Sequence, residues 1–524
     1  MKLLVNATIL TMDPARPRAE ALAIRDGRLA AVGSTEEIRR LRTPDAELLD
    51  LAGKTVLPGF VDAHNHFAIG ALEGFWADCR TPPLGSMPEI QARLSEASAR
   101  CAPAEWVRGW GYHQANLAER RHPTRQELDE AVPDRPAILM HFSHHQCVAN
   151  SRALAAAGIS RGTCDPPGGE IARDKSGEPT GLLFERAMGL CESKSREGWE
   201  QRFSEAAAAT SRRYAGVGIT TVQDAAVSPS MARHYLEAAQ AGQLGIRIQM
   251  MAVGSRGWFE APTEWVRERA WQIAGPNLLP GPLKVFVDGG YRCAMRRIKD
   301  GETVTSGFLF YESGELADLL VAAWRRDWSV VCHAIGNLGV ETCVGAIEEA
   351  LRREPGGEGK VRMDHAMFLT RDLIGRIKAL GIWVVGQPSF LYDLGPVDAG
   401  EGVLVRPFGR IQDAGIPQAF SSDFPCGTLS PLVGIYAAVT RRGRSGEVVD
   451  QEEGMPVQDA LQAYTINAAR AGGLEGECGS LEPGKRADLI VLDRNPLEVA
   501  PDELPRLKVV RTFVAGQEVM HEQG

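Results

Sequence analysis

Pro58-Gly59-Phe60-Val61-Asp62-Ala63-His64-Asn65-His66 is an apolar run that ends in two histidines one residue apart. Side chains alternate along a strand, so His64 and His66 point the same way and can grip one ion. Seven more apolar, β-branched runs follow, each closing near polar residues: Gly218 to Ala225, Ile246 to Val253, Leu283 to Gly289, Trp328 to Ala334, Val361 to Phe368, Ile382 to Pro388, and Pro417 to Pro425. They alternate with helix-like stretches, the pattern of a parallel sheet covered on both faces. Eight such units predict an α/β fold, a closed (β/α)8 barrel built from 58–66 and 201–470. Residues 67–200 then form an insertion after the first strand. Its strands Trp106 to Tyr112 and Pro136 to Met140 suggest an α+β lid or substrate subdomain.

Both ends of the chain read differently. Leu3 to Met12, Ala21 to Ile24, Arg28 to Val32 and Ala46 to Leu51 are short strands around the Asp26-Gly27 and Gly53-Lys54 turns. Gly484 to Leu492 and Val509 to Gly516 have the same texture, so 1–57 and 471–524 are expected to build one composite β-sandwich.

Among the 524 residues, 67 acidic against 58 basic side chains give a net charge of -9, which argues against a protein that coats phosphate backbones. Nucleic acid is excluded as a partner on this reading. No apolar run approaches the roughly 20 residues of a membrane helix. The opening stretch, broken by Asn6 and Thr8, is too polar for a secretory signal. The ten cysteines stand singly, which fits reduced thiols and a cytoplasmic location.

In a (β/α)8 barrel the active site lies at the carboxyl ends of the strands. His64 and His66 end the first run, His333 the fifth, Asp364-His365 the sixth and Asp423 the eighth, while Lys284 is a lone cation inside the fourth. A single histidine at a strand end is usually a hydrogen-bonded structural residue, but this set of four His, one Lys and one Asp on one face is hard to obtain without a purpose. Lys284 could snorkel or pair with Asp288; buried, it could lower its pKa and take up carbon dioxide to form a carbamate able to bridge two metals. Imidazole and carboxylate ligands suit Zn2+, whose bound water becomes a nucleophile near neutral pH. Asp423 would act as general base and then general acid toward a leaving nitrogen, and could touch the metal too.

At these residues the chain resembles the amidohydrolase superfamily, and within it the group that includes N-substituted formamide deformylases. The resemblance runs nearly end to end. It passes from Pro58 to His66 through Pro133-Asp134-Arg135-Pro136, His145 with Asn150-Ser151, Pro166 to Glu170 and Gly177 to Gly181. It continues through Lys284 to Gly289, His333-Ala334-Ile335-Gly336, Asp364-His365-Ala366, Ser422 to Pro425, Ala463 to Ala469 and Gly479 to Asp488. It implies a sandwich plus barrel, a carboxylated lysine at Lys284, two zinc ions, and metal ligands at His64, His66, His333 and His365, with Asp423 as the acid-base. His145 in the insertion would face the substrate carbonyl, and a homodimer is expected by the same resemblance. Asn337 and Asp364 stand where the group usually has Asp and Glu, which bears on metal tuning. Tyr291 and Arg292 follow the Lys284 strand, where Arg292 could hold a substrate carboxylate, and Trp76, Trp106 and Trp110 could line an aromatic pocket.

The expectation is a metal-dependent hydrolase of a non-peptide carbon-nitrogen bond in a small amide, an N-substituted amide or formamide. Two other readings stand beside it: decarboxylation or isomerisation at the same site, and a non-catalytic scaffold. The scaffold ranks last because every expected ligand is present. Neither a phosphate-binding loop nor a serine-hydrolase elbow occurs.

Overall fold

The computed structural model describes residues 1–102, 105–195, 198, 200–254, 275, 277–290, 294–300, 302–397 and 399–519. Eight parallel strands form its centre: β1 Phe60–Asn65, β2 Ile219–Val227, β3 Arg247–Val253, β4 Leu278–Phe286, β5 Val330–Ala334, β6 Val361–His365, β7 Trp383–Gly386 and β8 Gln418–Phe420. They pair in sequence order from β1 to β8. The seam between β8 and β1 is bridged just past β8, where the Asp423 N–H donates to the His64 carbonyl and the His66 N–H to the Phe424 carbonyl, both at 2.9 Å. The result is a nearly closed α/β barrel.

Helices between the strands cover it because their apolar residues recur on one face. In Arg371–Leu380, Leu373, Ile374 and Ile377 are buried, the Thr370 hydroxyl accepts from the Leu373 N–H, and Gly381 ends the helix at φ 63°. Helix α1, Phe67–Glu73, starts directly after the first strand and buries Phe67, Ala71 and Leu72.

Two sheets lie outside the barrel at the chain ends. One has four strands in the order Arg28–Gly33, Ala21–Arg25, Lys2–Val5, Glu47–Asp50; the other has six and draws Val509–Val514 and Leu489–Leu492 beside Thr55–Pro58 and Thr8–Leu10. A common core of Leu4, Ile9, Leu22, Val56, Leu489 and Phe513 lies between them. The expected single strand from Leu3 to Met12 is in fact two. Asn6 adopts a left-handed φ of 58°, which turns the chain from one sheet into the other. Within 67–200 a third sheet of six strands includes Val107–Tyr112, Ala137–His141, Gln146–Ala149 and Pro179–Glu185. Among the described residues, no helix is long and apolar enough to cross a membrane.

One buried ion pair ties the barrel to the end sheets. Arg247 of β3 donates to Asp488, both side chains 2% exposed, and Asp488 also accepts from the Ala515 N–H at 2.7 Å. Removing one partner leaves the other buried and uncompensated, at a cost of about 3–5 kcal/mol. Asp488→Ala is therefore expected to lower the thermal midpoint by several degrees without abolishing folding, read by differential scanning calorimetry. An unchanged midpoint would show that the pair adds nothing to the junction.

Candidate metal centre

The strand β1 carries His64 inside the barrel, but it ends at Asn65, and His66 occupies the N-cap of α1. The two histidines are thus not a simple alternating pair; their rings meet edge to face at 5.3 Å. Both still aim at one carboxylate. His64 Nε2 lies 3.3 Å and His66 Nε2 3.1 Å from Asp423 Oδ1, the His66 Nδ1 being held by the Ala225 carbonyl at 3.1 Å. Asp423 sits three residues past β8, in a left-handed conformation with φ 52°. Such non-glycine backbone costs about 1–3 kcal/mol and persists where surrounding structure enforces it. Here the His64 carbonyl takes its N–H.

The atoms of His64, His66 and Asp423 all lie within 4.8 Å of one another, the spacing of a candidate ion site. Among the buried polar atoms left without a well-formed hydrogen bond are Asp423 Oδ1, which has only the two Nε2 atoms beside it, and His365 Nε2. Buried polar atoms without partners are costly, and imidazole nitrogen with carboxylate oxygen is the donor set that suits Zn2+. The residues therefore fit a divalent metal. Burial, with Lys284 beside it, holds His64 down to about 4, and burial with His64 holds His365 down to about 3, so both imidazoles are neutral with lone pairs to offer. His333 is pushed well below its usual value by burial and by His365. His66 moves up: burial opposes this, but the hydrogen bond and charge of Asp423 outweigh it.

Lys284 is fully buried in β4, 3.0 Å from Asp364 Oδ2 and 3.3 Å from His64 Nδ1. Its cation pairs with Asp364 and not with Asp288. Asp364 also takes His64 Nδ1 at 2.7 Å, and Arg362 Nε reaches its other oxygen at 2.9 Å. Asp288 instead accepts the N–H groups of Ile335, Gly336 and Met295 at 2.8–3.0 Å, which fixes the loop after β5. Burial raises its carboxyl to about 7.

His333 and His365 close the ring of imidazoles, with His333–His365 centroids 4.4 Å and His64–His365 centroids 4.8 Å apart. Gln387 Oε1 meets His365 Nδ1 at 2.8 Å. His145 comes from the loop that joins Ala137–His141 to Gln146–Ala149 of the third sheet and lies 5.9 Å from His333 by centroid. So His64, His66, Lys284, His333, His365, Asp423 and His145 are brought together, while Tyr291 and Arg292 lie outside the described residues. Above the cluster is a cavity of about 130 Å3 walled by Leu72, Trp76, Met140, Val227, Met231 and Phe286. Trp76 contributes to it, whereas Trp110 belongs to the buried core and Trp106 packs against that core.

Sequence reasoning missed Arg362, Gln387 and Glu185. Arg362 stands two residues before Asp364 on β6, so the strand alternation already places both side chains on the inner face. Gln387 and Glu185 carry no local signal, because what they touch lies 22 and 40 residues away.

A family model described as the amidohydrolase family matches residues 47–520. The chain is 37% identical over 528 residues to an N-substituted formamide deformylase of Arthrobacter pascens, covering 98% of this chain and 97% of that one. Among solved structures it is similar to metal-dependent hydrolases of Pyrococcus horikoshii, with TM-score 0.76 at 25% identity over 96% of this chain and 99% of that one, and Pyrococcus furiosus, with TM-score 0.73 at 26% identity over 95% and 100%. With these imidazoles, this carboxylate and this barrel in one continuous match, the chain belongs to the amidohydrolase family of hydrolases.

Proposed function

We propose that the chain hydrolyses the carbon–nitrogen bond of a small N-substituted amide, a formamide first of all, giving a carboxylate and an amine. The observation that carries this reading is the meeting of His64 Nε2 and His66 Nε2 on Asp423 Oδ1 under a largely apolar cavity. The similarity to a formamide deformylase over nearly the whole chain supports the choice of bond. In the same reading the barrel of 58–66 and 201–470 holds the reacting groups. The sandwich of 1–57 and 471–524 braces it, and 67–200 covers the cavity.

Zinc is the metal that best suits these donors, with His64, His66, Lys284 as its carbamate, His333, His365 and Asp423 able to hold two ions. When bound, the metal supplies Lewis acidity to the carbonyl and lowers the pKa of a water. The chain does the rest. Asp423 is held well below the ordinary carboxylate range: burial works against this, but His64 and His66 outweigh it, so it stays an anion. It accepts the proton of the attacking water and returns it to the leaving nitrogen, so the amine departs neutral. His145 meets the carbonyl oxygen from the opposite wall. Leu72, Trp76 and Met231 keep bulk water from the reacting bond and receive the N-substituent.

Elemental analysis of the purified protein is expected to give about two zinc ions per chain, the count of a bridged site, with loss in both His64→Ala and Lys284→Ala. One ion, unchanged in Lys284→Ala, would remove the bridging role of that lysine. No metal under replete conditions would sink the hydrolytic reading.

With N-butylformamide as probe, formate and butylamine should appear in equal amounts, stop on chelation and resume with added zinc. Asp423→Asn should lower kcat by about 10²–10⁴, the span of general acid–base catalysis, with folding retained by circular dichroism. Wild-type turnover in that variant would take the proton transfer away from Asp423.

A further inference from the structure

His145 does not stand alone in the wall of the cavity. Its Nδ1 lies 3.0 and 3.1 Å from the two carboxylate oxygens of Glu185, whose side chain is completely buried. The backbone locks the two together as well, the Glu185 N–H donating to the His145 carbonyl at 3.0 Å. The third partner comes from the barrel. The Gly290 N–H, just past β4, lies between the two, 3.1 Å from His145 Nδ1 and 3.2 Å from Glu185 Oε1, and a Cβ built on Gly290 would fall 1.9 Å from the His145 ring. Only glycine lets that loop lie flat against the imidazole. Glu185 itself adopts a left-handed φ of 48°, a conformation that a glutamate keeps only when its surroundings enforce it.

We infer that Glu185 is a positioning residue for the reaction: it fixes the proton of His145 on Nδ1 and turns the opposite nitrogen of that ring toward the carbonyl oxygen of the substrate. The inference rests on the reading under Proposed function, in which His145 meets that oxygen. The chemistry follows from the acceptor. A carboxylate can accept but not donate, so an Nδ1 bonded to both of its oxygens carries the hydrogen, and the Gly290 N–H, which is within reach of Nδ1 as well, then donates to Glu185 Oε1. A carboxylate behind an imidazole also stabilises the cationic ring, which strengthens the ring as a donor to an oxygen gaining negative charge. A Glu185 that merely fastened the 67–200 segment to the barrel would act on stability and not through His145.

The test uses the metal-loaded full chain with N-butylformamide as probe. In Glu185→Gln, kcat for formate release is expected to fall about 10–100-fold, the usual cost of losing a histidine's outer partner, with KM, zinc content and thermal midpoint close to wild type. In a His145→Ala background the same substitution should change kcat by less than about twofold, because the two residues act as one unit. The His145 imidazole nitrogen signals, identified by their loss in His145→Ala, should show a protonated Nδ1 in the wild type and lose that pattern in Glu185→Gln. Wild-type kcat in Glu185→Gln, an independent further loss in the His145→Ala background, or an unchanged nitrogen pattern would each overturn the inference. If the wild type releases no formate at all, the proposed reaction fails by itself, and the nitrogen pattern still decides whether Glu185 sets the proton of His145.

Discussion

A charged side chain in the middle of the barrel sets everything around it. Arg362 is 4% exposed, and its guanidinium donates to the Ala63 and Ala471 carbonyls, to Gln223 and to Asp364. A cation taken so far from water survives only if each donor is met and its charge opposed. Asp364 supplies the opposing charge, and so it is held well below the usual carboxylate range: burial alone would raise it, and Arg362 and Lys284 more than reverse that. This anion then takes His64 Nδ1 and Lys284 Nζ together. Because Nδ1 is claimed from behind, Nε2 is the nitrogen that faces His66 and Asp423. The orientation of the first ligand is thus set by a residue on the far side of the barrel.

The same chain of charges makes the state of Lys284 conditional. As an ammonium it balances Asp364 at 3.0 Å. As a carbamate it would place a second anion beside Asp364 in a dry interior, a repulsion that only cations on its other side can offset. On that argument carboxylation of Lys284 would require cations bound beside it. Asp364 is shared between the two cations, Arg362 Nε at 2.9 Å on one oxygen and Lys284 Nζ at 3.0 Å on the other.

The barrel was legible because its eight runs are continuous, apolar and rich in β-branched residues, a signal that survives without partners. Its ends were not. The eighth run extends to Pro425 by composition, yet the ladder stops at Phe420, and the backbone turns left-handed to deliver Asp423. The alternation used to pair His64 with His66 also fails at Asn65, although both rings reach the same oxygen by a different route. The polar ends of strands could be named from sequence, but what fixes each ring could not. Gln387 on His365 and Glu185 on His145 are contacts made by folding, between segments with no shared pattern.

Two adjacent histidines show how the 67–200 segment is fastened over the cavity. His144, left-handed at φ 56°, turns toward Glu73 at the end of α1, with Nε2 2.7 Å from Oε1, while His145 turns toward Glu185 and Gly290. One short loop therefore grips the barrel at two places, at the helix after the first strand and beyond the fourth. The first grip is a buried carboxylate against an imidazole, and the second is the Gly290 N–H, 3.1 Å from His145 Nδ1 and 3.2 Å from Glu185 Oε1. The cavity beneath this loop, about 130 Å3, is walled mainly by apolar side chains.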